Sequence, residues 1–287
     1  MRKNRSPREF HDIRVQVDRV QVVSWAPSGR KPPVLDGFKV TRDSFVRSQT
    51  NTVTYERCRH YQSTRNDAKV YWQYYPRKSW LKPWKVTIVA DDNAGLSYDE
   101  IDTVLSHCRF YHFLIIEVAI DFRPSTGVNR EFIRRHALLG KSRRRKQQTA
   151  DVLYFGTRKS DKFVRCYEKE EQGIYRGELE FHSQILRREN IATLDDFEGL
   201  PGLIYPKHLQ FVEVDWNRLQ RCIRRKFGGE SKAVIAAAQQ KATSISRLRR
   251  YLRRKHLVNF HRFLVPHPMN EKIARAFTRW LRHFEAA

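Results

Sequence analysis

Acidic residues are scarce in this sequence. Asp and Glu number 31 against 56 Lys and Arg, which leaves a formal net charge of +25 and a pI near 10.3. That excess exceeds what solubility needs and asks for a polyanionic partner, nucleic acid first. An apolar run of about 18 residues is missing, and so is a lipidation signal, so no membrane partner is expected. The opening MRKNRSPREFHD has charges but no apolar stretch behind them, which argues against a secretory leader. Cysteine is sparse: Cys58, Cys108, Cys166 and Cys222 are widely separated and form no CxxC pair. A zinc ribbon or disulfide framework is not expected; buried free thiols in a reducing cytosol are. GxxxxGK[ST] is absent, so no NTPase activity is expected. HExxH and GxSxG are absent too, and no two histidines flank a single apolar residue, which removes the paired-His metal site of the common His-motif nicking enzymes.

What is present is aromatic and strand-forming. With 17 Phe, 12 Tyr and 6 Trp, 287 residues can bury a substantial core in one large domain or two. Strands are expected at 12–25, 53–58, 70–75, 84–90, 113–122, 152–155, 163–168, 175–182 and 211–214. Ser97-Tyr-Asp-Glu100 has capping-box spacing and opens a helix. Helices are also expected over 129–139, 217–227 and 270–284, with a long helix or helical pair over 231–256 and a loop over 201–206. The fold class is therefore α+β: an antiparallel-rich central sheet with flanking helices, plus a basic helical C-terminal region. Gly228-Gly229 suggests a boundary between a body over 1–227 and a tail over 228–287.

The chemistry gathers in 113–122 and 149–183. Alternate residues of a strand share a face. Glu117 and Asp121 therefore point one way in FLIIEVAIDF, while Arg176, Glu178, Glu180 and His182 share a side of the last strand, and Phe163, Arg165 and Tyr167 a side of the one before. Acids inside such apolar runs are costly unless paired or metal-bound. Two or three of them on adjacent strands suit Mg²⁺ or Mn²⁺; solvent exposure, or pairing with Arg165 and Arg176, is equally open on spacing alone. Tyr167 lies between Arg165 and Lys169 and needs cations or a metal to act as a nucleophile; Tyr154 and Tyr175 lie in the same region. The loop carrying Arg158 and Lys159 is small and basic enough to hold a backbone phosphate. Arg143, Arg144 and Arg145, and further on Arg249, Arg250, Arg253 and Arg254, fit phosphate tracking. Trp72, Tyr74, Tyr75, Trp80 and Trp84 are either core residues or platforms for unpaired bases.

The run LYFGTRKSDKFVRCYEKEEQ followed by RGELEF resembles the rolling-circle replication initiators of the Rep_trans type. The matching pieces are Tyr154–Ser160 (Tyr-x-Gly-x-Arg-x-Ser), Arg165–Lys169 (Arg-x-Tyr-x-Lys), Arg176–Glu178 (Arg-x-Glu) and the strand ending Asp121-Phe122, within residues 85–215. The resemblance implies a metal-dependent enzyme that nicks and rejoins one strand of origin DNA, single-stranded or in a hairpin, through a 5′-phosphotyrosyl link. It places the nucleophile on Tyr167, with Arg165 and Lys169 beside it, and the Mg²⁺ or Mn²⁺ ligands on Asp121, Glu178 and Glu180. It further implies a bacterial cytoplasmic setting with a host helicase and polymerase as partners, and a homodimer is entertained. A non-enzymatic origin-binding or repressor protein and a conjugative relaxase of similar chemistry are the alternatives.

Overall fold

The long β-branched run ending in Asp121-Phe122 becomes the strand around which the sheet is built. The computed structural model describes residues 12–25, 31–46, 55–76, 84–91, 94–139, 151–156, 160–204, 208–257 and 259–285. In chain order the large sheet comprises β1 (Ile13–Trp25), β2 (Phe38–Phe45), β3 (Tyr55–Ser63), β4 (Lys69–Pro76), β5 (Trp84–Val89), β6 (Arg109–Phe122), β8 (Val152–Phe155), β9 (Lys162–Lys169) and β10 (Ile174–His182). Its nine strands run in the order β2-β3-β4-β5-β1-β6-β10-β9-β8, and every pairing is antiparallel. The architecture is α+β.

One face of the sheet is apolar. Val20, Val118, Ile120, Leu179 and Phe181 are fully buried there. Each such side chain contributes about 1.5–3 kcal/mol. The same core takes in Ile101 and Val104 of α1 (Tyr98–Leu105), and Ile273 and Phe277 of α8 (Met269–Glu285). Ser97 and Glu100 close the expected capping box at the start of α1. No described helix is long and apolar enough to cross a membrane.

β1 holds the feature that shapes the site. Its buried apolar positions are odd-numbered at Ile13, Val15 and Val17, then even-numbered at Val20 and Val22. The register against β6 steps from Val17↔Val118 to Arg19↔Glu117, leaving Asp18 as the extra residue of a bulge. A bulge lets two consecutive side chains serve one face. Its carbonyls are satisfied from outside the strand: Val17 accepts from the Leu96 amide and Asp18 from the Ala90 amide, each at 2.8 Å. Gly95 allows this approach, because a Cβ there would stand 2.5 Å from the Gln16 Cβ.

A second, three-stranded sheet is built from β7 (Ala137–Leu139), β11 (Leu209–Val214) and β12 (Leu264–Pro266), in the order β12-β11-β7. Buried Asn270 pins α8 to it: its amide group donates to the Phe211 carbonyl at 2.7 Å and accepts from the Phe211 amide at 2.8 Å. A separate small core joins Leu219 and Ile223 of α5 (Trp216–Phe227), Val234 and Ala238 of α6 (Ser231–Lys241), and Leu248 and Leu252 of α7 (Ile245–Arg254). This cluster draws on residues from both sides of Gly228-Gly229, while α8 belongs to the main core.

Several local expectations are corrected. Residues 130–136 form a short helix, α2 (Arg130–His136), and the chain then turns into β7, so the helix stops before Leu139. A helix, α3 (Ser183–Arg188), occupies a charged stretch with no evident pattern, and α4 (Leu200–Ile204) occupies the expected loop; Pro201 fits because the first turn of a helix needs no proline N–H. Of the two readings of the aromatic residues, the core one holds for Trp72, Tyr74 and Trp84. Trp80 lies outside the described residues. Cys58, Cys108 and Cys166 are buried free thiols, and Cys222 is a partly exposed one.

Candidate active site

Strands β1, β6, β10 and β9 lie side by side, and their polar positions converge on the face opposite the core. Register sets Arg176 across from Asp121 on one side and Tyr167 on the other. Likewise Glu180 faces Glu117, and Glu178 faces Arg165. Arg176 is 3% exposed and grips Asp121 with two hydrogen bonds of 2.6 and 2.8 Å, while a third, of 3.0 Å, reaches Asp18. Gln16 donates to the other Asp18 oxygen at 2.6 Å. Glu117 accepts from Arg19 at 2.6 Å and from Arg165 at 2.7 Å, one on each oxygen. Arg19 also pairs with Glu180, and Arg165 with Glu178. The remaining Glu178 oxygen accepts the Tyr167 hydroxyl at 2.5 Å. His182 lies 2.6 Å from Glu180.

The electrostatics follow from burial. Asp18 is pushed up to about 6 by burial, with Glu117 and Asp121 adding to the push and Arg176 and Gln16 opposing it. Burial also holds Glu178 above the usual carboxylate range, although Arg165 and the Tyr167 hydroxyl work against it. At Glu180 burial is outweighed by His182 and Arg19, so this carboxyl lies below its ordinary value. The Tyr167 phenol is raised, by burial first and then by Glu178, against the pull of Arg176 and Arg165. The cations expected to acidify the phenol are thus outweighed: it stays protonated and donates its hydrogen bond to a carboxylate that binds protons readily.

Five carboxylates (Asp18, Glu117, Asp121, Glu178 and Glu180) meet three guanidiniums (Arg19, Arg165 and Arg176) in this network. The acids outnumber the guanidiniums by two. Oxygens of Asp18, Glu117 and Glu178 all lie within 4.8 Å of one another. The hard donors and the excess charge fit a divalent cation such as Mg²⁺ or Mn²⁺. His136, Glu213 and His267 form a second close group. There His136 Nδ1 donates to the Val212 carbonyl at 3.0 Å, and His267 Nδ1 accepts from the Met269 amide at 3.0 Å. The His267 proton is then on Nε2, 3.3 Å from Glu213. That nitrogen has no lone pair to give a metal, and the group acts as a clasp between α2, β11 and the start of α8.

Of the residues singled out in the sequence, Tyr167, Arg165, Asp121, Glu178 and Glu180 belong to this network, but of the three expected metal ligands only Glu178 is in the close oxygen group: Asp121 is held by Arg176, and Glu180 by Arg19 and His182. Lys169 lies at the far end of β9, two positions beyond Tyr167. Tyr154 shares the polar face, opposite Arg165 in register, and stacks on Phe163 at 5.8 Å. Tyr175 is buried on the other face, across from Phe122. Arg249, Arg250, Arg253 and Arg254 are exposed on α7. Arg143, Arg144, Arg145, Arg158 and Lys159 lie outside the described residues. Sequence reasoning missed Asp18 and Arg19, which β1 brings in from about a hundred residues away. The available signal was the Asp-Arg pair interrupting an otherwise regular alternation.

No family model matches the sequence, and no curated protein does. Among solved structures, a rolling circle replication initiator protein from Geobacillus stearothermophilus matches with a TM-score of 0.39 and 17% identity, over 70% of this chain and 87% of that chain. At that distance, the chemistry of the site has to stand on its own residues.

Proposed function

We propose that this protein initiates rolling-circle replication by nicking and rejoining one DNA strand at an origin, with Tyr167 as the nucleophile. The observation that carries this reading is the Tyr167 hydroxyl seated 2.5 Å from Glu178 within a cluster of buried acids. Attack forms the bond between the Tyr167 oxygen and phosphorus and breaks the bond to the 3′ oxygen. The phenolic proton passes to the Glu178 oxygen that already accepts its hydrogen bond. The 3′ oxygen leaves as a hydroxyl after taking a proton from solvent, and the 5′ phosphate stays on tyrosine. Rejoining is the reverse. Arg165 and Arg176 hold Glu178 and Asp121 in place and bring positive charge beside the phenol.

A divalent cation held by Asp18, Glu117 and Glu178 would supply charge neutralisation at the phosphodiester. The net charge of +25 and the exposed arginines of α7 suit a DNA partner. Tyr154 lies on the polar face next to Arg165, whereas Tyr175, on the apolar face, is poorly placed to attack.

The test is cleavage of labelled single-stranded origin DNA with Mn²⁺, read as a covalent protein–DNA band on a denaturing gel. The band should vanish with Tyr167→Phe and with EDTA. A band that survives Tyr167→Phe moves the role to Tyr154. Tight DNA binding with no band at all would favour a non-catalytic origin-binding protein.

A further inference from the structure

The polar face does not end at the acidic cluster. It continues across β1, β5, β4, β3 and β2 as an open groove of about 460 Å³. The two parts meet at Arg19, which lines the groove while pairing with Glu117 and Glu180. The groove's character is opposite to that of the cluster. Arg42 and Lys85 line it, and among the described residues no carboxylate does. Asp43 is turned to the other face, where Arg57, Arg59 and Tyr74 hold it. Glu56 is on the groove's face of β3, two residues before Cys58, but it is exposed at the rim and does not line the groove. Among the described residues neither Arg42 nor Lys85 has an ion-pair partner. Lys85 is held below its ordinary pKa by burial and by Arg19, as befits a cation with no anion beside it. Register puts Lys39 and Lys69 on the same face, both opposite Gln62, whose amide donates to Asp67 at 2.9 Å.

The floor is built for flat groups. His60 and Tyr71 are partly exposed and meet edge to face at 5.0 Å. Unpaired cations around aromatic side chains are the ordinary equipment for holding an unpaired nucleic-acid strand. A strand spacing of about 4.8 Å sets β5 to β2 roughly 20–35 Å from Tyr167 on β9, a reach of several nucleotides.

We propose that the β1–β5 face is a track for single-stranded DNA, leading the strand to or from Tyr167. The proposal rests on the nicking reading for its direction, but its test does not. Binding is measured by fluorescence anisotropy with a labelled oligodeoxythymidylate of about 20 nucleotides, longer than the usual site size. Tyr167→Phe protein is used throughout, so no chemistry intervenes, and melting curves check that each variant is folded. Adding Arg42→Gln and Lys85→Gln should weaken binding about 10-fold at moderate salt and reduce the log–log salt slope by about 1.4, or ~0.7 per lost phosphate contact. Tyr71→Leu should cost roughly 5-fold or more on the single strand and nothing on a duplex of equal length.

Unchanged affinity and slope in the double variant would overturn the track. So would equal losses on duplex and single strand with Tyr71→Leu, which would make the face a general polyanion surface. Adduct formation on a randomised single-stranded pool with Mn²⁺ is scored separately, in protein that retains Tyr167. No adduct together with the expected binding losses would sink the nicking reading and keep the track. Adduct together with unchanged binding would do the reverse.

Discussion

Replacing Asp18 with Asn should stabilise the metal-free protein at pH 7.5. Asp18 rises from 3.8 to about 6 in the fold, and its side chain is only 14% exposed. At 1.36 kcal/mol per pKa unit, the ionised form costs the folded state about 3 kcal/mol. Because the folded pKa is the higher one, Asp18 favours folding fully below about pH 4, and that contribution is lost as pH rises through 6. An amide at position 18 keeps an oxygen for Arg176 but gives up the charge attraction and the Gln16 geometry, so about 1–2 kcal/mol of the cost should be recovered. For a chain of this size that is roughly 2–6 °C in Tm.

Thermal melts followed by circular dichroism, in EDTA, should show the gain at pH 7.5 and little or none at pH 4.5. Adding Mn²⁺ should reverse the order. A ligand at about 100 times its Kd stabilises by about 2.7 kcal/mol, and the variant, lacking one donor, should lose most of that. A variant that melts lower than the parent in EDTA at pH 7.5, with an undiminished response to Mn²⁺, would refute both the charge-excess argument and the placing of a cation there.

Three further perturbations probe the scaffold. Arg176→Met strands Asp121 and Asp18 without their guanidinium, and urea melts at pH 7.5 should show a loss of about 3–5 kcal/mol; a loss under 1 kcal/mol would mean that the acids find other partners. Gly95→Ala forces a Cβ into Gln16, the residue that holds Asp18. It should lower Tm and weaken Mn²⁺-induced stabilisation together, by about 1–3 kcal/mol in stability; an unaffected metal response would uncouple the bulge from the site. Burial lowers Lys162 to about 8, with its ammonium 3.2 Å from His208 Nδ1. Its support for the fold is full above about pH 10.5 and lost as pH falls through 8, so Lys162→Met should stabilise by about 1–2 kcal/mol at pH 7 and by less at pH 10; a pH-independent difference would contradict this.

The half of the site on β6, β9 and β10 was legible in the sequence because those strands alternate without interruption. Arg165 and Tyr167, Arg176, Glu178 and Glu180, and Glu117 with Asp121 can each be assigned to one face by counting in twos. Counting cannot tell which strand lies beside which. β1 enters between β5 and β6, and only that adjacency brings Asp18 and Arg19 to Glu117 and Arg176. The bulge hid them further, since the pair reads as a lapse in alternation until the register on β6 is known. β2, whose FKVTRDSF is mostly polar and exposed, has too few apolar positions to read as a strand, and with it the groove stayed out of view. In YWQYYP the core and groove positions alternate: Trp72 and Tyr74 belong to the core, while Tyr71 and Gln73 line the groove. The aromatic nature of the stretch was plain, but its division between two faces was not.

The central claim is that Tyr167 carries the 5′ end of a cleaved strand. Covalent complexes formed with Mn²⁺ can be trimmed with nuclease, digested with trypsin and mapped by mass spectrometry for a nucleotide-modified tyrosine. Cleavage after Arg165, Lys169 and Arg176 separates the candidates, with Tyr167 on the peptide 166–169, Tyr175 on 170–176 and Tyr154 on a peptide ending at Arg158. The modification is expected on 166–169 and should be absent from the Tyr167→Phe protein. Modification at Tyr154 or Tyr175 in the unaltered protein, with 166–169 recovered unmodified, would contradict it.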